Sequence, residues 1–137
     1  MGLFNWFTQE VAIDLGTANT LIIHNDKVVV DEPSIVAFDR TTNKVIAIGK
    51  QAMQMEGKTH DNIRTSRPLR DGVIADFTAA EHLIRGMVKL VNNGKSWFFP
   101  SLRMVVCIPS GITEVEKRAV RDSAEIAGAK EVYLIHE

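Results

Sequence analysis

Short apolar runs closed by polar turns open the chain. Residues 11–15 are apolar except for Asp14 and end at Gly16, and residues 21–23 and 28–30 flank the polar turn His24-Asn25-Asp26-Lys27. Runs of this length, rich in β-branched residues and bounded by turn formers, predict three strands joined by two tight reversals. Asp31-Glu32-Pro33 stops the third strand. Residues 34–38 and 45–48 are again β-rich and lie on either side of Asp39-Arg40-Thr41-Thr42-Asn43, which predicts a second hairpin. From 49 to 72 the composition turns polar and basic. A short helix is expected over 51–55, followed by an irregular stretch whose Arg64, Arg67 and Arg70 form a solvated face.

Helical periodicity then takes over. Thr78 and Glu81 have the spacing of a capping box, and Ala80, Leu83, Ile84, Met87, Val88 and Val91 recur on one face until Asn92-Asn93-Gly94 ends the pattern. Residues 103–108 predict a buried strand stopped by Pro109-Ser110-Gly111. Thr113 and Glu116 form a second capping box, opening a helix that runs to Ala127 and is closed by Gly128. Its outer face offers Glu114 to Arg118, Arg118 to Asp122 and Arg121 to Glu125 at i, i+4, ordinary helix support rather than a site. Residues 132–135 are the last strand. Leaving out the 49–72 excursion, the order strand, strand, strand, helix, strand, helix, strand predicts an α/β fold with a mixed sheet and helices on its faces. The stop at Glu137, straight after a strand, predicts a truncated protomer.

Composition narrows the function classes. Sixteen basic and seventeen acidic residues leave a net charge of -1, which argues against a nucleic-acid or general polyanion binder. At 45% hydrophobic and 24% charged, the 137 residues suit one domain-sized globular core. The single Cys107 lies in an apolar run and is expected to be a small buried thiol in a reducing compartment. No apolar stretch approaches the ~18 residues that span a bilayer, and no basic residue precedes the N-terminal apolar cluster. The expected location is therefore the cytosol. His24, His60 and His82 show no metal-ligand spacing.

Candidate chemistry lies in Asp14-Leu15-Gly16-Thr17-Ala18-Asn19-Thr20, between the first two strands. Glycine allows a tight turn and close approach to an anion, while successive amides and the Thr17, Asn19 and Thr20 side chains can donate to phosphate oxygens. Asp14, at the strand end, could hold Mg²⁺ through water, since that cation favours a carboxylate plus retained waters. The same residue types also suit a plain hairpin.

These seven residues resemble the first phosphate loop of the actin-like ATPase superfamily, whose RNase H-like core has the predicted strand order. Within it, the sequence is most similar to the bacterial rod-shape-determining MreB family. The likeness is carried by Asp14 to Thr20, by Asp31-Glu32-Pro33-Ser34, by Arg67-Pro68-Leu69-Arg70-Asp71-Gly72-Val73-Ile74-Ala75-Asp76-Phe77 and by Ile108-Pro109-Ser110-Gly111-Ile112-Thr113. It implies an RNase H-like mixed sheet with an inserted small α+β subdomain. The parts would be a membrane-binding segment over 1–10, the first part of the core over 11–32, the insert over 33–72 and an incomplete second part over 73–137. It further implies ATP and Mg as cofactors: Gly16, Thr17, Ala18, Asn19 and Thr20 on the phosphates, Asp14 on the metal's water shell, and Glu137 orienting the attacking water. His136 departs from the acidic or amide residue common in that segment. The second phosphate loop and the adenosine-binding residues of the superfamily have no counterpart here, so residues 1–137 alone are expected neither to hydrolyse ATP at a useful rate nor to bind it tightly. The full-length protein would be a slow ATPase.

Two apolar exposures complete the picture. Leu3, Phe4, Trp6 and Phe7 share one helical arc, and burying four such side chains is worth roughly 6 to 12 kcal/mol before ordering costs. Trp97 and Phe98, with Phe99, sit at a loop tip and resemble the membrane-insertion loop of the family. The resemblance thus implies filaments on the inner face of the cell membrane that set rod shape, with self-association, the membrane surface and cell-wall synthesis and shape proteins as partners. A chaperone-type ATPase, a small-molecule kinase and a noncatalytic interaction domain are the alternatives.

Overall fold

The computed structural model describes residues 8–58, 61–91 and 101–136. Among these residues, ten strands and three helices follow in the order β1 (Thr8–Leu15), β2 (Asn19–His24), β3 (Lys27–Pro33), β4 (Val36–Asp39), β5 (Val45–Ile48), α1 (Gly49–Met55), β6 (Ile63–Ser66), β7 (Leu69–Arg70), β8 (Val73–Ile74), α2 (Phe77–Val91), β9 (Ser101–Ile108), α3 (Glu114–Ile126) and β10 (Glu131–His136). Thr8, Gln9 and Glu10, expected in the N-terminal amphipathic segment, belong to β1.

Five strands form the main sheet in the order β10-β9-β1-β2-β3. β1, β9 and β10 are parallel, while β1 with β2 and β2 with β3 are antiparallel. Strand periodicity puts Val11, Ile13, Leu15, Ile22, Met104, Val106 and Ile108 on one face, where they share a core with Leu83, Ile84, Met87 and Val88 of α2 and Val120 and Ala124 of α3. Both helices therefore cover the same face, a correction to the expectation of helices on both. The topology explains it. β3 runs parallel to β9, so the crossovers from β3 through α2 to β9 and from β9 through α3 to β10 step across the sheet in one direction, and crossovers of one hand then stay on one side. The opposite face carries the row Tyr133, Val105, Ala12 and Ile23, with Tyr133 50% and Ile23 37% exposed. Cys107, on that face beside Asp14, is only partly buried rather than a core thiol.

A second sheet, β5-β4-β6, packs against α1 and α2. Every residue from Ile35 to Phe38 is buried. Val36 and Phe38 join the main core, and Ile35 and Ala37 join Ala47 and Ala52 beneath α1. The stretch expected to be irregular thus contains β6, paired along β4 from Val36↔Ser66 to Asp39↔Ile63, and β7, which pairs with β8 just beyond it. Its arginines are not simply solvated: Arg64 stacks 4.3 Å over the Phe38 ring and Arg67 pairs with Glu56 at 2.9 Å.

The two helix starts differ. Thr113 and Glu116 make the reciprocal capping box foreseen, at 3.2 and 2.8 Å, and Gly128 at φ 116° follows the helix end. Glu114 pairs with Lys117 at i, i+3, and none of the three expected i, i+4 pairs forms among the described residues. The box at Thr78 and Glu81 does not form. Asp76 caps α2 instead, its Oδ1 accepting from the Ala79 amide at 3.0 Å and its Oδ2 from the Ser66 hydroxyl at 2.6 Å, while Glu81 faces Arg85 at 3.7 Å. Aspartate is as good an N-cap as threonine, and β6 supplies it with a second partner. Partial burial raises the Asp76 pKa, but the hydrogen bonds from Ser66, Ala79 and Thr78 and the Arg64 charge outweigh it and hold the pKa below 3.8.

Candidate phosphate-binding site

The C-terminal ends of the parallel strands meet at one edge of the main sheet: Asp14 lies opposite Cys107, and Ile108 opposite His136. In sheets of this kind ligands bind outside the carboxyl ends of the strands. The Gly16–Ala18 turn leaves from this edge, and so does the Pro109-Ser110-Gly111 turn after β9.

Close packing shapes the first turn. A Cβ on Gly16 would stand 2.2 Å from the Asn19 carbonyl oxygen, so no other residue fits without moving the backbone. Two of the turn's three carbonyls point into the protein. Gly16 O accepts from the Ser34 hydroxyl at 2.7 Å and Ala18 O from the Ser34 amide at 2.8 Å. Among the described residues no protein group accepts from the amides of Thr17 or Ala18, and both residues are exposed. Asn19 is held by its side-chain amide, which donates to Asp31 Oδ1 at 3.0 Å. Thr20 is fully buried with its hydroxyl 2.8 Å from Ser34 Oγ. Its side chain therefore stands behind the loop rather than at its mouth.

Asp14 adds a negative group at the same edge. Its Oδ1 is buried and has no hydrogen-bond partner. A buried acceptor left without a donor costs about 1 to 3 kcal/mol, and a charged one more. A water-bearing cation would relieve that cost, so this oxygen fits the hydrated-metal role. The cavities of about 680 Å³ over α3 and β10 and about 490 Å³ beside β6 are lined by none of residues 14–20. Glu137 lies outside the described residues, as do Leu3, Phe4, Trp6, Phe7, Trp97 and Phe98. β10 brings the chain to His136, at the same edge as Asp14.

Sequence reasoning missed Ser34 as a functional neighbour of the loop. A straight count back from the Asn25-Asp26 turn puts Pro33 opposite Ala18. A bulge at Ile22/Ile23 shifts the register by one and brings Ser34 there instead.

Comparison with known proteins identifies the family. The family model described as MreB/Mbl protein matches residues 8–137. The chain belongs to the MreB/Mbl family. It is 48% identical over 136 residues to the cell shape-determining protein MreB of Haemophilus influenzae, covering 96% of this chain and 38% of that protein. Among solved structures it resembles MreB5 of Spiroplasma citri bound to ADP, with TM-score 0.78 and 38% identity over 94% of this chain and 38% of that one. The MamK double helical filament, at TM-score 0.72 and 17% identity over 94% of this chain and 41% of that one, shares the actin-like fold. The chain spans about two fifths of the length of the MreB/Mbl relatives it matches.

Proposed function

We propose that this chain is the phosphate-loop part of a bacterial actin-like ATPase that assembles into membrane-associated filaments, determines rod shape and organises cell-wall synthesis. The observation that carries the proposal is the 14–20 turn: amides without protein acceptors and an unpartnered buried carboxylate oxygen meet at one sheet edge, in a chain 38% identical to an MreB5 solved with ADP. Gly16, Thr17, Ala18 and Asn19 would receive the phosphates. Asp14 would hold the water shell of Mg²⁺, which supplies charge neutralisation to the transferring phosphoryl group. Glu137 would orient water for attack. Thr20 would contribute by supporting Ser34 from behind the loop. Parts 1–10, 11–32, 33–72 and 73–137 would serve as membrane segment, first core part, inserted subdomain and second core part. Leu3, Phe4, Trp6, Phe7, Trp97 and Phe98 would contact lipid on the inner face of the membrane, where filament assembly multiplies weak single contacts.

Sedimentation of the natural full-length protein tests both halves of the proposal. ATP is expected to drive wild-type protein into the pellet and Asp14→Asn to abolish this, with added liposomes carrying the wild-type polymer along. Wild-type protein that stays in the supernatant with ATP, lipid or both contradicts the proposal.

A further inference from the structure

We infer that Ser34, which lies outside the loop, is a positioning residue that sets the direction in which the loop presents its amides and ties the loop to the second sheet. The inference rests on the phosphate-binding reading of residues 14–20.

Ser34 is 0% exposed. A serine hydroxyl carries one proton. Because that proton is committed to the Gly16 carbonyl, the 2.8 Å contact with Thr20 must be a bond donated by Thr20 to Ser34 Oγ. The Ser34 amide takes the Ala18 carbonyl. One buried residue thus holds two of the three carbonyls of the turn.

Peptide geometry converts this hold into function. In a planar trans peptide the N–H points opposite to the C=O. A Gly16 carbonyl fixed inward therefore turns the Thr17 amide outward, and an Ala18 carbonyl fixed inward does the same for the Asn19 amide. Pro33, opposite Asn19, has no N–H of its own to compete in this pairing. Without the Ser34 hydroxyl the Gly16-Thr17 peptide loses its inner anchor beside a conformationally permissive glycine. Rotation of that peptide would place a carbonyl oxygen where an anion should sit.

The same residue faces the other way along the chain. Ser34 continues into Ile35, whose carbonyl accepts from the Gly49 amide at the start of α1 at 2.9 Å, and whose side chain lies in the core beneath α1. A shift of the loop on phosphate contact passes through Ser34 into β4 and α1.

The test uses the full-length natural protein, with ADP and adenosine as probes in calorimetry. Ser34→Ala is expected to weaken ADP roughly 10- to 100-fold, the effect of leaving one buried polar group unpaired, and to leave adenosine affinity unchanged. In hydrogen exchange, ADP should slow the Gly49 amide in wild type and not in Ser34→Ala. Equal losses for ADP and adenosine, or an undiminished ADP affinity, overturn the inference while the loop reading stands. Wild-type protein that binds adenosine equally well with and without a diphosphate overturns the loop reading, and this inference with it. Should Ser34→Ala not fold, Thr20→Val removes the donor that supports Ser34 and keeps the shape. It should weaken ADP several-fold with adenosine unchanged, and an unaltered ADP affinity there overturns the inference as well.

Discussion

Two reversals of the main sheet, at Asn25-Asp26 and at Gly16–Ala18, do the same topological job by different means. The first joins β2 to β3 with His24 opposite Lys27, and Asn25 and Asp26 at φ 53° and 61°. Those left-handed values are the two-residue hairpin turn that follows strand twist, and the closure is local. The second joins β1 to β2 but is closed by Ser34, just past the end of β3, leaving the Thr17 and Ala18 amides without protein acceptors among the described residues. Composition alone does not separate them, since Asp, Asn and Gly serve both. What separates them is which residue satisfies the carbonyls: a self-contained turn reverses the chain, and a turn held from behind can present donors to a ligand.

The largest effect is expected from Gly16→Ala. Its Cβ would meet the Asn19 carbonyl at 2.2 Å, and relief of that clash must displace the loop. The predicted cost is about 1 to 3 kcal/mol in urea unfolding, with ATP affinity of the full-length protein falling at least as far. Unchanged ATP binding would show that the turn serves only to reverse the chain.

Asp76→Asn probes the cap that joins α2 to β6. Asparagine keeps a cap acceptor but loses the charge that the Ser66 hydroxyl, the Ala79 amide and Arg64 favour, so it should destabilise by about 1 kcal/mol at pH 7. Because the folded pKa lies below 3.8, the carboxylate contributes stability above the unfolded value, and this is lost as pH falls through the folded one. The difference in urea midpoint between wild type and Asp76→Asn should therefore shrink between pH 5 and pH 3. A constant difference would assign the effect to packing.

The smallest effect belongs to the other turn. Asn25→Gly places at φ 53° a residue that favours positive φ, and the stability change should stay within about 1 kcal/mol. ATP affinity should not move. A loss of ATP affinity comparable to that of Gly16→Ala would erase the distinction between the two turns.

Much of this fold was legible in the sequence where periodicity and caps agree. The three opening strands, α2, β9, α3 and β10 follow apolar spacing, and the Thr113 box is local chemistry. What escaped depends on partners remote in sequence. β6 reads Ile63-Arg64-Thr65-Ser66, with one apolar residue in four, and is a strand because β4 pairs with it. Asp76 outcompetes Thr78 as a cap with help from Ser66, ten residues upstream. The Asp14 to Thr20 loop was visible as a motif, but Ser34's hold on it was hidden by a single-residue bulge. A shift of that size moves every later side chain to the opposite face.

The far end of the parallel strands sets a limit on motion. There Arg103 bridges Glu131 at 3.0 Å and Glu10 at 3.7 Å, spanning β10, β9 and β1. Glu131 first, by hydrogen bond and charge, raises the Arg103 pKa further. Exposed pairs of this kind add little to overall stability, yet this rung staples three strands about 13 Å from Asp14, four residues away along β1. The sheet resembles a tuning fork gripped at its base: a disturbance at the tips is felt sideways, toward β4 and α1, because the stem is pinned.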